Sequence, residues 1–289
     1  LTPSAFNIDV ASDSNITAQG FNNLDASAES TAGIATAAAG SLGTNGSSVT
    51  GIASGMDISV GGVSNLMAQA QGTADASASS VSQTAEADSG MISMGIEDLE
   101  MVVKSDSDLS STSAVIGSAD GESTAGIATA DIDFDATGID GIAMDVGGIG
   151  TLASTASVNG SSDATNVGRD GLDADATGDL DATGLNAAHL FSSSDGDVSG
   201  IATIAGSINA ESTAGDGLAD ADFDAEGITN LEMGAGGLFD LAGQAQVNAD
   251  VSASSVSGTA DAFSGDDNLD GSISNTEAST IKGLSAIEA

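Results

Sequence analysis

The chain has no cysteine, tryptophan or tyrosine, one proline, one histidine and three basic residues among 289. Without cysteine there are no disulfides to staple a fold, no thiolate nucleophile and no redox compartment to read. Against 43 acidic residues the only cations are Lys104, Arg169 and Lys282, and the formal charge of -40 excludes nucleic acid and anionic membrane surfaces as direct partners. Divalent cations are the natural partners instead. The lone histidine, His189, stands in Ala-Ala-His-Leu-Phe without a Gly-x-Ser-x-Gly elbow, and no lysine-bearing glycine loop offers a phosphate clamp. The sequence therefore reads as non-enzymatic, with His189 and Arg169 in local structural roles. No apolar run reaches the roughly eighteen residues of a membrane-spanning helix. Leu, Ile, Val and Phe together make 59 of the 289 residues, about a fifth, which lies at the compositional edge of disorder. The single Pro3 and a regular alternation argue for an ordered chain with a thin core.

That alternation has a period of two. Ala130-Asp-Ile132-Asp-Phe134-Asp-Ala136, Leu172-Asp-Ala174-Asp-Ala176 and Ala219-Asp-Ala221-Asp-Phe223-Asp-Ala225 place apolar and acidic residues on opposite faces of a strand. Gly, Asn, Asp and Ser clusters such as Thr44-Asn-Gly46-Ser and Val158-Asn-Gly160-Ser punctuate these runs as turns. The pattern repeats at long range. Glu-Ser-Thr-Ala-Gly begins at Glu29, Glu122 and Glu211; Gly61-Gly62 maps onto Gly147-Gly148 at an offset of 86; and Phe134, Leu152 and Val158 map onto Phe223, Leu241 and Val247 at an offset of 89. The organisation expected is an N-terminal segment over 1–28, β units over 29–121 and 122–210, a truncated unit over 211–264, and a distinct C-terminal segment over 265–289. The fold class expected is all-β, a β-solenoid-like stack in which neighbouring rungs share a core of small residues, with tandem β-sandwiches as the alternative. Within 1–28, Ala5-Phe6-Asn-Ile8-Asp-Val10 reads as a strand able to complete a neighbouring subunit's sheet.

One stretch carries nameable chemistry. Asp266-Asp-Asn268-Leu-Asp270-Gly271-Ser272-Ile273-Ser274-Asn-Thr-Glu277 supplies oxygen ligands at loop positions one, three, five, seven, nine and twelve, with glycine at six for the sharp turn. This resembles the EF-hand calcium loop, including the single-loop versions of dockerins, and the likeness covers about residues 259–289. The resemblance implies a Ca2+ ion held by Asp266, Asn268, Asp270, the Ser272 carbonyl, Ser274 through a water, and a bidentate Glu277. Ile281, Leu284 and Ile287 recur at helical spacing and predict an exit helix.

Three acidic combs form a second candidate set: Asp131, Asp133 and Asp135; Asp173, Asp175, Asp179 and Asp181; and Asp220, Asp222 and Asp224. They read either as a solvated face that keeps strand edges apart or as a lattice of weak cation sites. Asn15-Ile-Thr17, Asn45-Gly-Ser47 and Asn159-Gly-Ser161 are glycan-acceptor triplets. Leu rather than Met at position one fits a mature secreted chain. Together these features point to an extracellular or cell-surface structural protein, a self-associating subunit of a filament, sheath or surface layer. The alternative is a calcium-dependent monomeric adhesin or glycan-binding module.

Overall fold

The computed structural model describes residues 6–40, 47–52, 55–168, 171–264 and 281–288. The chain runs through β1 (Phe6–Val10), β2 (Ser14–Ser30), β3 (Ala35–Ala39), β4 (Ser47–Ile52), β5 (Met56–Val60), β6 (Ser64–Ser80), β7 (Ala85–Val103), β8 (Ser107–Ser123), β9 (Ala128–Val146), β10 (Gly150–Asn166), β11 (Ala174–Ser192), β12 (Gly196–Ser212), β13 (Gly217–Ala235), β14 (Phe239–Ser255), β15 (Ala260–Ser264) and β16 (Ile281–Glu288). Six of these, in the order β2-β6-β8-β10-β12-β14, form one sheet, and the remaining ten form the other. The pairing is parallel in both sheets, which departs from the antiparallel ladders of a sandwich. The fold is all-β and solenoid-like: each circuit lays one strand in each sheet, then steps along by one strand.

Ala85, Ala128, Ala174 and Gly217 share one register position in the ten-stranded sheet. They lie 43, 46 and 43 residues apart, so one circuit is half the interval at which the sequence repeats. The reason for the doubled interval lies at the corners. Where the chain crosses into the six-stranded sheet, Asp13, Asp106 and Asp195 accept hydrogen bonds through Oδ1 from the backbone N–H groups of Val63, Ile149 and Leu238 at 2.9, 2.9 and 2.8 Å. Each acceptor lies one rung below its donor. Just before each donor stands Gly62, Gly148 or Gly237, where an added Cβ would fall 2.1–2.2 Å from that same Oδ1. A carboxylate corner therefore requires a glycine corner above it, and the two kinds alternate along the stack.

The opposite corner explains the recurring Glu-Ser-Thr-Ala-Gly phrase. Ser80, Ser123, Ser212 and Ser255 point their hydroxyls inward and donate to carbonyls of the rung below, Gly33, Gln83, Leu172 and Gly215, at 2.7–3.1 Å. The same oxygens of Ser80, Ser212 and Ser255 accept the N–H of the residue three further on. Each turn is thus tied to itself and to its neighbour. One circuit is longer, and there Asn166 replaces serine.

In one row of the core the bulky residues face glycine. Met91, Phe134, Leu180 and Phe223 stack in one inward row of the ten-stranded sheet. Across from them, a Cβ on Gly117, Gly160 or Gly206 would meet the Phe134, Leu180 or Phe223 ring or methyl carbons at 2.7–3.0 Å. Filling by large-against-small pairs reaches close packing without many large side chains.

A crease crosses the ten-stranded sheet and divides the core into two clusters. Gly95, Gly138 and Gly184 line its first edge, where an added Cβ would meet Ser111, Ser154 or Ile201 of the opposite sheet, and Gly227 precedes Ile228 in the same way on β13. Asp98, Gly141, Ala187 and Asn230 follow these glycines by three residues, and they and Gly55 have φ between 51° and 79°. Beyond the glycine row the inward residues step by three before returning to two: Ile139, Ile142 and Met144; Leu185, Ala188 and Leu190; Ile228, Leu231 and Met233. This corrects the expected exit helix. Residues Ile281–Glu288 form strand β16, and Ile281, Leu284 and Ile287 register against Ala225, Ile228 and Leu231 of β13. A step of three residues is the signature of a creased strand here, and it coincides with the i, i+3 spacing of a helix.

Phe6–Val10, the strand proposed above to complete a neighbour's sheet, pairs with Met56–Val60 of its own chain. Among the described residues its other edge has no partner.

Candidate functional site

The alternation that buries alanine and phenylalanine sends every second residue of the ten-stranded sheet outward, and the shared register lines these residues up across strands. Asp133, Asp179 and Asp222 fall at one position of β9, β11 and β13, and Asp135, Asp181 and Asp224 at the next outward position. A third row holds Asp88, Asp131, Thr177 and Asp220. Neighbouring strands in a sheet lie about 4.8 Å apart and outward positions about 6.6 Å apart along the strand, so the three sequence combs become one acidic grid. Asp173, counted with the second comb, lies just before β11 and instead accepts the Asp216 N–H at 2.9 Å in a corner.

Such a grid holds its charge at a cost. Asp181 is exposed on its outer side but hemmed in by the flanking strands. Partial loss of water, reinforced by repulsion from Asp179, Asp135, Asp224 and Asp222, pushes its carboxyl up to about 7. Asp179 is pushed up to about 6, again by desolvation first and then by Asp133, Asp222, Asp224 and Asp131. Asp135 is raised chiefly by burial, partly offset by the Thr137 hydroxyl 3.3 Å from its Oδ1. Thr177 donates to Asp131 across the strand pair and relieves the third row. Among the described residues no three carboxylates converge on a point in the way a cation cage requires; the carboxylates are arranged in lines.

Because the folded pKa of Asp181 lies above that of an unfolded aspartate, the folded chain binds the extra proton more tightly. The resulting stabilisation is fully present below about pH 4 and is lost as the pH rises through 6 to 7. Asp181→Asn is therefore expected to raise the melting temperature at pH 8 and to leave it nearly unchanged at pH 5. Screening by solvent holds the gain to about 1 kcal/mol, or about 2–4 °C. Circular-dichroism melts of both proteins at the two pH values check this, and a gain as large at pH 5 as at pH 8 would show that the carboxylate is unstrained.

On the far side of the crease, Asn186 donates from Nδ2 to Asp140 Oδ1 at 2.9 Å and accepts at Oδ1 from Thr229 and Asn230 at 2.8 Å, a polar ladder along the fold line. His189 Nδ1 lies 2.9 Å from Glu232 Oε2, both side chains being half-exposed. A shallow depression lined by Asp57, Asp98, Glu100 and His189 adjoins this pair. Arg169 lies outside the described residues. So do the calcium-loop residues Asp266, Asn268, Asp270, Ser272, Ser274 and Glu277; the segment that carries them connects β15 to β16. Asn15 and Asn159, of the glycan-acceptor triplets, point outward from β2 and β10.

The crease was not read from the sequence, although the glycine-apolar pairs Gly138-Ile139, Gly184-Leu185 and Gly227-Ile228 mark it at intervals of 46 and 43 residues. No family model, curated protein or solved structure matches the chain.

Proposed function

We propose that this chain is a non-catalytic structural protein of the extracellular space or cell surface, the subunit of a filament, sheath or surface layer stabilised by calcium. The observation that carries this reading is the pair of open ends of the stack. Among the described residues, β2, β3 and β4 pair on one side only at one end, and β14, β15 and β16 pair on one side only at the other. The core rows are only half-covered there, at Ile16, Leu24 and Ala26 and again at Leu241, Val247 and Val251. Open parallel edges of this length are templates for further pairing. The acidic grid on the lateral face favours association in a medium that supplies cations, since screening shortens repulsion to about 8 Å at physiological ionic strength. The EF-hand-like segment, which connects β15 to β16 in the chain, would hold Ca2+ through Asp266, Asn268, Asp270, Ser272, Ser274 and Glu277.

Negative-stain electron microscopy in millimolar calcium, repeated after chelation, tests the reading. Ordered filaments or sheets that dissolve on chelation are expected. Assemblies indifferent to chelation would retain the structural role and remove calcium from it, whereas isolated particles in both conditions would overturn the proposal in favour of a monomeric adhesin.

A further inference from the structure

The two open ends are complementary, strand for strand, and we infer that copies of this chain stack head to tail through one rung that two molecules build together. This rests on the filament reading and specifies its contact. A full strand of the ten-stranded sheet, such as Gly217–Ala235, offers nineteen register positions. At the C-terminal end, β15 covers the first five, against Gly217–Ala221, and β16 the ninth to sixteenth, against Ala225–Glu232. Among the described residues the last positions, through Ala235, stay uncovered. At the N-terminal end β1 is the reverse: it lies against Met56–Val60, which pair with Leu99–Val103, the fifteenth to nineteenth positions. Stacking one molecule on the next lets β15 and β16 fill the front of a rung and the incoming β1 its back, with an overlap of two positions.

The strands left bare agree. β3 lies at the first five positions and β4 at the seventh to twelfth, and among the described residues both pair with β7 alone. Their open edges would receive β15 and β16 of the preceding molecule, while its Leu231–Ala235 segment would receive β1. In the six-stranded sheet β14 and β2 are both seventeen residues long and would pair end to end.

Corner chemistry supports the same order. The stack ends on the glycine corner Gly236-Gly237 and begins on the carboxylate corner of Asp13, so the alternation passes through the junction unbroken. At the other corner Glu-Ser-Thr turns at Ser30, Ser123 and Ser212 alternate with valine-bearing turns after Ser80, Asn166 and Ser255. A junction of Ser255 with Ser30 keeps that alternation too. Along the outer face, Gln244 would meet Gln19, extending the amide pair in which Gln19 Nε2 donates to Gln69 Oε1 at 3.1 Å. The cross-section, about 56 Å along a seventeen-residue strand and about 20 Å through two sheets, gives about 1,100 Å² per partner, above the roughly 800 Å² of a standard interface.

The absence of native cysteine makes the register measurable. Asn23 and Asn248 occupy the same outward position of β2 and β14, both exposed, and lie five strands apart within one chain. That is about 24 Å, too far to bridge internally, whereas neighbouring copies would bring them to about 4.8 Å, within disulfide range. Under oxidised glutathione, which takes up the two electrons and two protons as the two thiols join, N23C/N248C should give a ladder of linked multimers on a non-reducing gel. Each single variant alone should give no linkage, and a mixture of the two should give dimers only. A control with the second cysteine moved along the strand, N23C/D240C, should not link. Linkage of N23C with itself, or a ladder in the displaced control, would overturn the head-to-tail register. Filaments seen by microscopy without a ladder from N23C/N248C would overturn the shared rung and leave the filament reading standing; isolated particles without a ladder would remove both.

Discussion

Gly184→Ala is expected to destabilise the protein by about 3 kcal/mol or more. The added carbon would lie 2.4 Å from the Gly227 carbonyl oxygen, 2.7 Å from the Ile201 nitrogen and 2.9 Å from the Ile201 oxygen. All three are backbone atoms, two of them in the opposite sheet, so relief requires the sheets to part along the crease. Gly55→Ala supplies the contrast. Its φ of 79° belongs to the same crease, but nothing lies within 4 Å of its missing Cβ. Only the conformational penalty of about 1–2 kcal/mol applies there. Urea unfolding followed by circular dichroism should rank the two variants in this order. Equal losses would mean that the crease is soft and that close approach of the sheets does not hold it.

Asn166→Ala should cost a comparable amount, about 3 kcal/mol, because one side chain satisfies several otherwise stranded backbone groups. Its Nδ2 donates to the Gly126 carbonyl at 2.7 Å and the Leu172 carbonyl at 2.9 Å, and its Oδ1 accepts the Gly168 N–H at 2.8 Å. The circuit here runs 46 residues from Ala128 to Ala174 rather than 43, and the longer asparagine reaches both across the enlarged turn and down to the rung below. Asn166→Ser restores the hydroxyl used at the other corners and should recover part of the loss. Thermal melts of the three proteins decide this, and a serine variant no better than alanine would show that the downward bond to Gly126 contributes little.

The sequence displays its outward and inward faces openly. Asp131, Asp133 and Asp135 alternate with Ile132 and Phe134, and that alone predicts a strand with one wet face. It also displays the duplication, but at twice the structural period, because Asp106 and Gly148 are chemically different partners in one contact. Only stacking reveals that they occupy the same place in successive turns of the chain. The spacing of Ile281, Leu284 and Ile287 is ambiguous for a related reason. A creased strand and a helix both bring every third residue to one side, and the choice between them is made by Ala225, Ile228 and Leu231, more than fifty residues earlier. Bulky residues facing glycine are invisible in one dimension altogether: Phe134 and Gly117 must be brought together before either explains the other. The calcium loop is the converse case, legible in sequence at Asp266, Asn268, Asp270 and Glu277 and outside the described residues.

The pairing of carboxylate and glycine corners also limits how a chain of this kind can change length. Excising a single circuit would set Asp106 beneath another aspartate, or Gly148 beneath another glycine, so the new seam would carry either two carboxylates with no room or an amide with no acceptor. Excising or copying two circuits leaves every seam as it was. Length in this architecture is therefore inherited in even steps, and the 86- and 89-residue echoes in the sequence are the smallest increments by which it could have grown.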